Sequence, residues 1–304
     1  MTTRNRLANF AFILLLASAV LGQTAKVVSI EGHRGSRGHL PENTIPSFKL
    51  ALDQGSDTLE LDLVITKDKK VLVSHEPWFS HVISTAPNGK PITKETEREH
   101  NIYKMTYAET KKYDVGSIGN VSFPDQKPMK VHKPLLTDVF KATEKYAKDK
   151  KLAPVRYNIE IKSTPQGDGT FHPAPDEFAR LVLADVKKFG LEKRVIIQSF
   201  DLRPLQELKR TAPAIPLALL VGPTEDLTGK LEKLTFVPDT LSPHFSLVNE
   251  KLVALCREKG MKLVPWTVNE IADLERMSKF DLDGIITDYP DRAVRVFRKP
   301  PSSK

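Results

Sequence analysis

Cysteine is almost missing from this chain: Cys256 is the only one in 304 residues. A lone cysteine closes no intrachain disulfide, so packing has to hold the fold. It lies in LVALCREKG, whose apolar spacing is helical, and it reads as a small buried residue rather than a nucleophile. No Cys/His cluster has zinc spacing. Aromatic residues make up 7% and do not interleave with any basic stretch, which excludes a stacking platform for single-stranded nucleic acid. The formal charge of +8 therefore reads as a lysine-rich solvated surface, with no nucleic-acid partner. Long hydrophobic runs are missing too. The stretch from Phe10 to Leu21 has 12 residues, broken only by Ser18, and a bilayer span needs about 20. With Arg4 and Arg6 before it, and Val20 and Gly22 as a cleavage pattern, it predicts a signal peptide over 1–22. The expected product starts at Gln23, keeps no stable membrane span and is exported, to the periplasm or beyond. No cysteine follows the run to carry a lipid, and no GxGxxG turn follows the first β-type segment.

What is present is an ordinary globular composition, 40% apolar and 28% charged. Short β-type runs alternate with amphipathic stretches: VVSIEGH (27–33), TLELDLVIT (58–66), VLVSH (71–75), YNIEIK (157–162), VIIQSF (195–200), PLALLV (216–221), TLSPHF (240–245), KLVPWTV (262–268) and GIITD (284–288). Three of the helical stretches end at Gly55, Gly190 and Gly260, each suited to the residue just past a helix. A fourth, PLLTDVFKATEKYA, has Thr137 as its expected N-cap. Alternation of this kind predicts a parallel α/β fold. Only KDKK separates VIT from VLVSH; a parallel crossover needs about a dozen residues, so these two runs should form a hairpin. Setting that extra strand aside leaves eight βα units. This predicts a (β/α)8 TIM barrel, with an open doubly wound sheet as the runner-up. Residues 76 to about 134 break the alternation. They read as an insertion after the second barrel strand, a small subdomain or lid, within a domain spanning 23–304.

Side chains two apart on a strand share a face, so Glu60 pairs with Asp62, and Glu160 with Lys162. Carboxylates facing into a barrel are costly unless paired or bound to a cation. Three of them converging from two strands point to a hard divalent cation, Ca²⁺ or Mg²⁺. His33 and His75 end their runs, and a histidine pair can pass protons in both directions near neutrality. Arg34 offers phosphate oxygens a planar fork, and Lys162 a point charge. Asn43 and Thr44 suit helix caps, and Glu42 suits the orientation of a histidine. Arg37, His39, His81, His100 and His132 are placed in solvent. Gln198, Phe200, His244 and Trp266 end later runs, on the face where barrel active sites lie; Phe200 and Trp266 could wall the substrate.

In order along the chain, HRG followed by PENT, then ELD, SH, IEIK, QSF, PWTVN and GIITDYP resembles the glycerophosphodiester phosphodiesterase family, from about residue 28 to 296 apart from the insertion. The resemblance implies a TIM barrel with an insertion after its second strand, a divalent metal, and hydrolysis of a small glycerophosphodiester to glycerol 3-phosphate and an alcohol. It places the metal on Glu60, Asp62 and Glu160, the acid/base pair on His33 and His75, and the phosphate on Arg34 and Lys162. His33 as base and His75 as acid is the working choice, which the sequence itself does not assign, and the attacking oxygen is either water or the glycerol 2-hydroxyl. One departure concerns the residue after the second histidine. The family usually has Asp there and this chain has Glu76, which leaves the orientation of His75 open. Two other readings are a lysophospholipase D-type enzyme, with an apolar groove from Trp78, Phe79 and Val82, and a non-catalytic phosphodiester-binding barrel. The intact set of histidines and carboxylates argues against the latter.

Overall fold

A computed structural model describes residues 27–298, so the expected signal segment lies outside the described residues. The nine strands are β1 (Ser29–Gly32), β2 (Thr58–Ile65), β3 (Val71–Val73), β4 (Arg156–Ile161), β5 (Val195–Ser199), β6 (Leu217–Val221), β7 (Thr240–Pro243), β8 (Lys262–Leu263) and β9 (Gly284–Thr287). All except β3 are parallel, in the order β8-β7-β6-β5-β4-β2-β1-β9. The two ends of this order meet through Asp283 N–H to Leu263 O (3.0 Å), Ile286 N–H to Pro265 O (2.9 Å) and Val268 N–H to Ile286 O (3.0 Å). The chain is therefore a nearly closed eight-stranded TIM-type barrel with its helices outside, as expected. β3 pairs antiparallel with β2, Leu63 opposite Val73, which makes the hairpin that the four-residue KDKK link requires.

The pleat sorts the strands into two faces. Leu59, Leu61 and Leu63 of β2 and Tyr157, Ile159 and Ile161 of β4 pack outward, in one core with Phe48, Phe140 and Phe178 of the helices. The alternate residues face the barrel interior, where the register sets Glu60 opposite Asn158 and Asp62 opposite Glu160. A barrel interior is usually filled by branched aliphatic side chains; here it is polar and charged. Gly55, Gly190 and Gly260 each follow a helix with positive φ (90°, 64° and 69°), the left-handed backbone expected past a helix C-terminus. The expected cap at Thr137 is not formed. The helix Leu136–Asp149 begins two residues earlier than that cap would set, with Leu135 as a cap that makes no side-chain bond.

The stretch after β3 is not a structureless loop. It folds into short turns of helix around its own small core, in which Phe79 stacks on Tyr113 at 3.8 Å and packs with Ile92, Ile102 and Val115 against Val64 and Leu72 of the hairpin. His81 bonds Glu97 (2.7 Å) and the half-buried His100 bonds the Tyr113 hydroxyl (2.8 Å), so of the three histidines of this stretch expected in solvent only His132 is exposed. Among the described residues no helix is long and apolar enough to cross a membrane.

Glu31, two residues before His33, lines a different space from it, with Ser29, Thr58 and Asn158. Its carboxylate accepts from Asn158 Nδ2 at 2.8 Å, and burial pushes it up to about 7 despite that bond. The unfolded chain releases this proton near pH 4.5, so the fold holds one proton more than the unfolded chain across that window. Stability falls as pH rises through it, by about 3 kcal/mol. Glu31→Gln, uncharged and of the same shape, is expected to match the parent at pH 4 and to exceed it by up to about 3 kcal/mol at pH 8 in urea unfolding. Parallel pH profiles for the two proteins would rule this out.

Candidate active site

The HRGSRG turn leaves β1 with Arg34 and Gly35 both in left-handed backbone, φ 52° and 90°. A side chain at position 35 would meet Ser47 at 2.5 Å, so only glycine fits. The turn aims the Arg34 N–H at Glu60 Oε2 (2.9 Å) and the Arg34 guanidinium at Glu42 (2.8 Å) and Asp62 (3.3 Å). Asn43, also left-handed at φ 56°, donates from Nδ2 to Asp62 Oδ2 at 2.8 Å. It is thus a carboxylate clamp, while Thr44 alone caps the next helix. Glu42 holds Arg34 and Arg37 (2.5 Å) and not a histidine. Arg37 accordingly lines the cavity, and His39 bonds Asp291 at 3.0 Å, where both were expected in solvent.

Glu60, Asp62 and Glu160 offer oxygens that all lie within 4.8 Å of one another, and all three are buried. Lys162 sits 2.9 Å from Glu160 and 3.8 Å from Asp62. Burial, with the charges of Asp62 and Glu160, raises Glu60 well above the carboxylate range. Burial also pushes Glu160 up to about 7, against the pull of Lys162. Asp62 is held low, because Arg34, His75 and Lys162 together outweigh its burial. Gln198 Nε2 donates to Glu60 Oε1 at 2.9 Å, yet Asp62 Oδ1 is buried with no hydrogen-bond partner. An unpartnered buried carboxylate oxygen beside two proton-retaining carboxylates is what an oxygen-ligand cation site looks like without its ion. The three residues fit a divalent cation.

Both histidines reach this cavity of about 290 Å³, with Arg34, Lys162, Phe200 and Trp266. His33 Nδ1 meets Asp288 Oδ1 at 2.7 Å, and Asn269 fixes Asp288 by two bonds, at 2.7 and 2.9 Å. His75 Nδ1 meets Glu76 Oε1 at 2.6 Å, so the longer side chain still orients the ring. Burial lowers both imidazoles. Arg34 and Lys162 add to this at His75, and Asp288 opposes it at His33. Phe200 and Trp266 meet edge to face at 5.4 Å, and Lys162 lies 5.8 Å over the Phe200 ring. His244 packs on Trp266 at 5.4 Å. Of the three residues expected to build an apolar groove, only Trp78 lines one; Phe79 is in the insertion core, and Val82 is exposed elsewhere. Sequence reading assigned no role to Asp288, Asn269, Asn43 as a clamp, or the buried Lys133. The DYP and PWTVN motifs carried the first two, but nothing local pairs Asp288 with His33 across 255 positions.

Barrel, carboxylate cluster and oriented histidines define a TIM-barrel phosphoric diester hydrolase. Residues 33–292 match the glycerophosphoryl diester phosphodiesterase family, and the chain belongs to it. A glycerophosphodiester phosphodiesterase of Caldanaerobacter subterraneus subsp. tengcongensis is 34% identical over 88% of this chain and 96% of its own. A crystal structure from Silicibacter pomeroyi, assigned as a glycerophosphoryl diester phosphodiesterase, superimposes with TM-score 0.80 at 33% identity, covering 90% of this chain and 94% of that one. An Oleispira antarctica phosphodiesterase, solved with the product sn-glycerol-3-phosphate, shares the fold at TM-score 0.70 and 22% identity, covering 90% of this chain and 98% of its own.

The His33–Asp288 contact yields a direct test. The Asp288 charge raises the His33 pKa, so Asp288→Asn is expected to move the His33 titration to lower pH, read from its imidazole resonances. A His33 titration that does not move would show that the carboxylate is not coupled to the ring.

Proposed function

We propose that this chain hydrolyses glycerophosphodiesters to glycerol 3-phosphate and an alcohol, with His33 as general base and His75 as general acid beside a divalent cation, Ca²⁺ or Mg²⁺, held by Glu60, Asp62 and Glu160. The observation that carries this reading is Asp62 Oδ1, buried without a hydrogen bond inside a carboxylate cluster flanked by two carboxylate-backed histidines. The bound cation would supply charge to offset the phosphate oxygens in the transition state. Arg34 and Lys162 line the same cavity and bind those oxygens from the protein side. His33, kept neutral by burial, takes the proton of the attacking oxygen, water or the glycerol 2-hydroxyl, and Asp288 stabilises the imidazolium that forms. As the bond from phosphorus to the alcohol oxygen breaks, His75 gives that oxygen its proton. Glu76 holds the ring and partly offsets the burial and the Arg34 and Lys162 charges that lower its pKa. Phe200 and Trp266 wall the cavity. The N-terminal run of the sequence supports export of the enzyme to the periplasm or beyond.

The metal assignment is tested with chelator-stripped protein. Calorimetric titration with Ca²⁺ or Mg²⁺ should show one site per chain, and release of glycerol 3-phosphate from a panel of glycerophosphodiesters should return with the ion. Asp62→Asn is expected to weaken that binding by roughly 100-fold or more, since changing a residue that only supports a ligand already costs about 10–100-fold. Full turnover in the stripped protein would sink the assignment.

The two histidines are separated by the leaving group. His33→Gln and His75→Gln should each slow hydrolysis of an alkyl diester by about 10²–10⁴-fold. With a p-nitrophenyl diester, whose leaving group needs no proton, the His75 variant should recover most of its rate and the His33 variant should not. Recovery by the His33 variant instead would reverse the two roles.

A further inference from the structure

The catalytic cavity opens outward into a second space of about 450 Å³ that shares His75, Glu160, Lys162 and Phe200 with it. Its walls come from two separate segments. Trp78 and Arg98 belong to the insertion, and Phe171 to the chain after β4. Trp78 and Phe171 meet edge to face at 5.3 Å. The Arg98 guanidinium lies 5.1 Å from the Trp78 ring centroid. Trp78 Nε1 is buried and has no hydrogen-bond partner.

Two aromatic rings beside a catalytic cavity invite a quaternary ammonium, but the charges of this space do not. An ammonium seats on an aromatic face, and at Trp78 that face already carries Arg98. The one carboxylate lining the space is Glu160, which Lys162 neutralises at 2.9 Å and which belongs to the cation cluster. Arg98 and Lys162 leave the wall positive. An incoming cation would find no counter-charge and two like charges. A hydroxylated alcohol finds the reverse. The exposed Arg98 guanidinium is a donor for acceptor oxygens, the exposed Thr164 and Gln166 line the same space, and the rings receive the carbon faces. The space begins at His75, the group assigned to protonate the leaving oxygen, so it holds the alcohol half of the diester.

We propose that this outer space is the leaving-alcohol site and that Arg98 makes it selective for hydroxyl-rich, uncharged alcohols, glycerol-like or cyclitol-like, over cationic ones such as choline and ethanolamine. The inference rests on the diesterase reading above and adds the substrate class to it. Arg98 is a specificity residue that sits apart from the reacting atoms.

The experiment compares kcat/KM for four diesters, glycerophosphoglycerol, glycerophosphoinositol, glycerophosphocholine and glycerophosphoethanolamine, in the metal-loaded parent, Arg98→Ala and Arg98→Lys. Circular dichroism and melting confirm that each variant is folded. The parent is expected to favour the first two over the last two by about tenfold or more. Arg98→Ala should narrow that gap from both sides, raising choline turnover and lowering polyol turnover, and Arg98→Lys, which keeps the charge, should preserve the rejection of choline. A parent that prefers choline overturns the proposal. So does an Arg98→Ala variant that leaves the ranking unchanged or shifts all four substrates by one common factor. If the parent turns over none of the four, the diesterase reading itself fails, an outcome distinct from turnover without preference.

Discussion

Three carboxylates within 4.8 Å of one another, buried at the end of a barrel, repel each other and are poorly solvated. Much of the surrounding structure answers that one conflict. Arg34 and Lys162 supply two positive charges, the Arg34 backbone and Gln198 each donate to Glu60, and Asn43 donates to Asp62. Even so Glu60 keeps a raised pKa and Asp62 an oxygen without a hydrogen bond. The residual charge deficit is the space for a cation. The backbone is shaped to the same end: Arg34 and Asn43 both occupy left-handed conformations, which cost a residue with a Cβ about 1–2 kcal/mol. A strained turn is kept where it lets one arginine serve both Glu60, through its N–H, and Asp62, through its guanidinium.

The arginine is itself held in place. Glu42 takes up Arg34 and Arg37 together, so the PENT segment positions a buried arginine rather than a histidine. Burying Arg34 among Glu42, Asp62 and Glu76 raises its pKa despite desolvation, which fixes its charge at any working pH. Removing one partner of such a set leaves an uncompensated charge in the interior, which typically costs about 3–5 kcal/mol. Site and stability are therefore coupled. The charged layer of the barrel stands because its members neutralise each other, and the aliphatic residues on the opposite face of the same strands carry the packing.

The sequence made legible whatever depends on period and order. The two-residue spacing of Glu60 with Asp62, and of Glu160 with Lys162, showed their shared face, and the short KDKK link showed the hairpin. Barrel topology followed from the count of βα units. Interactions decided by distance in space were not legible. His33 finds Asp288 because β1 and β9 are neighbours, Ser29 beside Gly284 through Gly32 beside Thr287, and that adjacency exists only once the barrel closes. The partners of Glu42, Arg37 and His39 were misjudged for a related reason. Glu42 was read as orienting a histidine, and Arg37 and His39 as solvated, whereas the turn folds inward, sets Arg37 on Glu42 and brings the half-buried His39 to Asp291. Phe79 was read as a groove residue on its apolarity alone, which says nothing about which side of the chain it faces; Tyr113 supplies the ring that turns it inward.

The residues proposed for the chemistry and those proposed for selectivity sit on different kinds of element. Every side chain assigned to the reaction lies on a strand or within a few residues of a strand end, where the neighbouring strands fix its position through the ladder. The outer walls are set by segments with fewer such constraints: Trp78 and Arg98 ride on the insertion, whose core is separate from that of the barrel. The insertion is nonetheless tied to the site. Lys133, buried and lowered by desolvation against the pull of Glu76 and Glu42, lies 5.7 Å over the Phe79 ring. One buried cation thus faces the carboxylate that orients His75 and the aromatic stack that anchors the wall. The wall can vary in its exposed residues, Arg98 among them, without disturbing the buried charges. Its core, at Phe79 and Tyr113, instead forms the surroundings of Lys133, whose charge lowers the pKa of Glu76 beside His75.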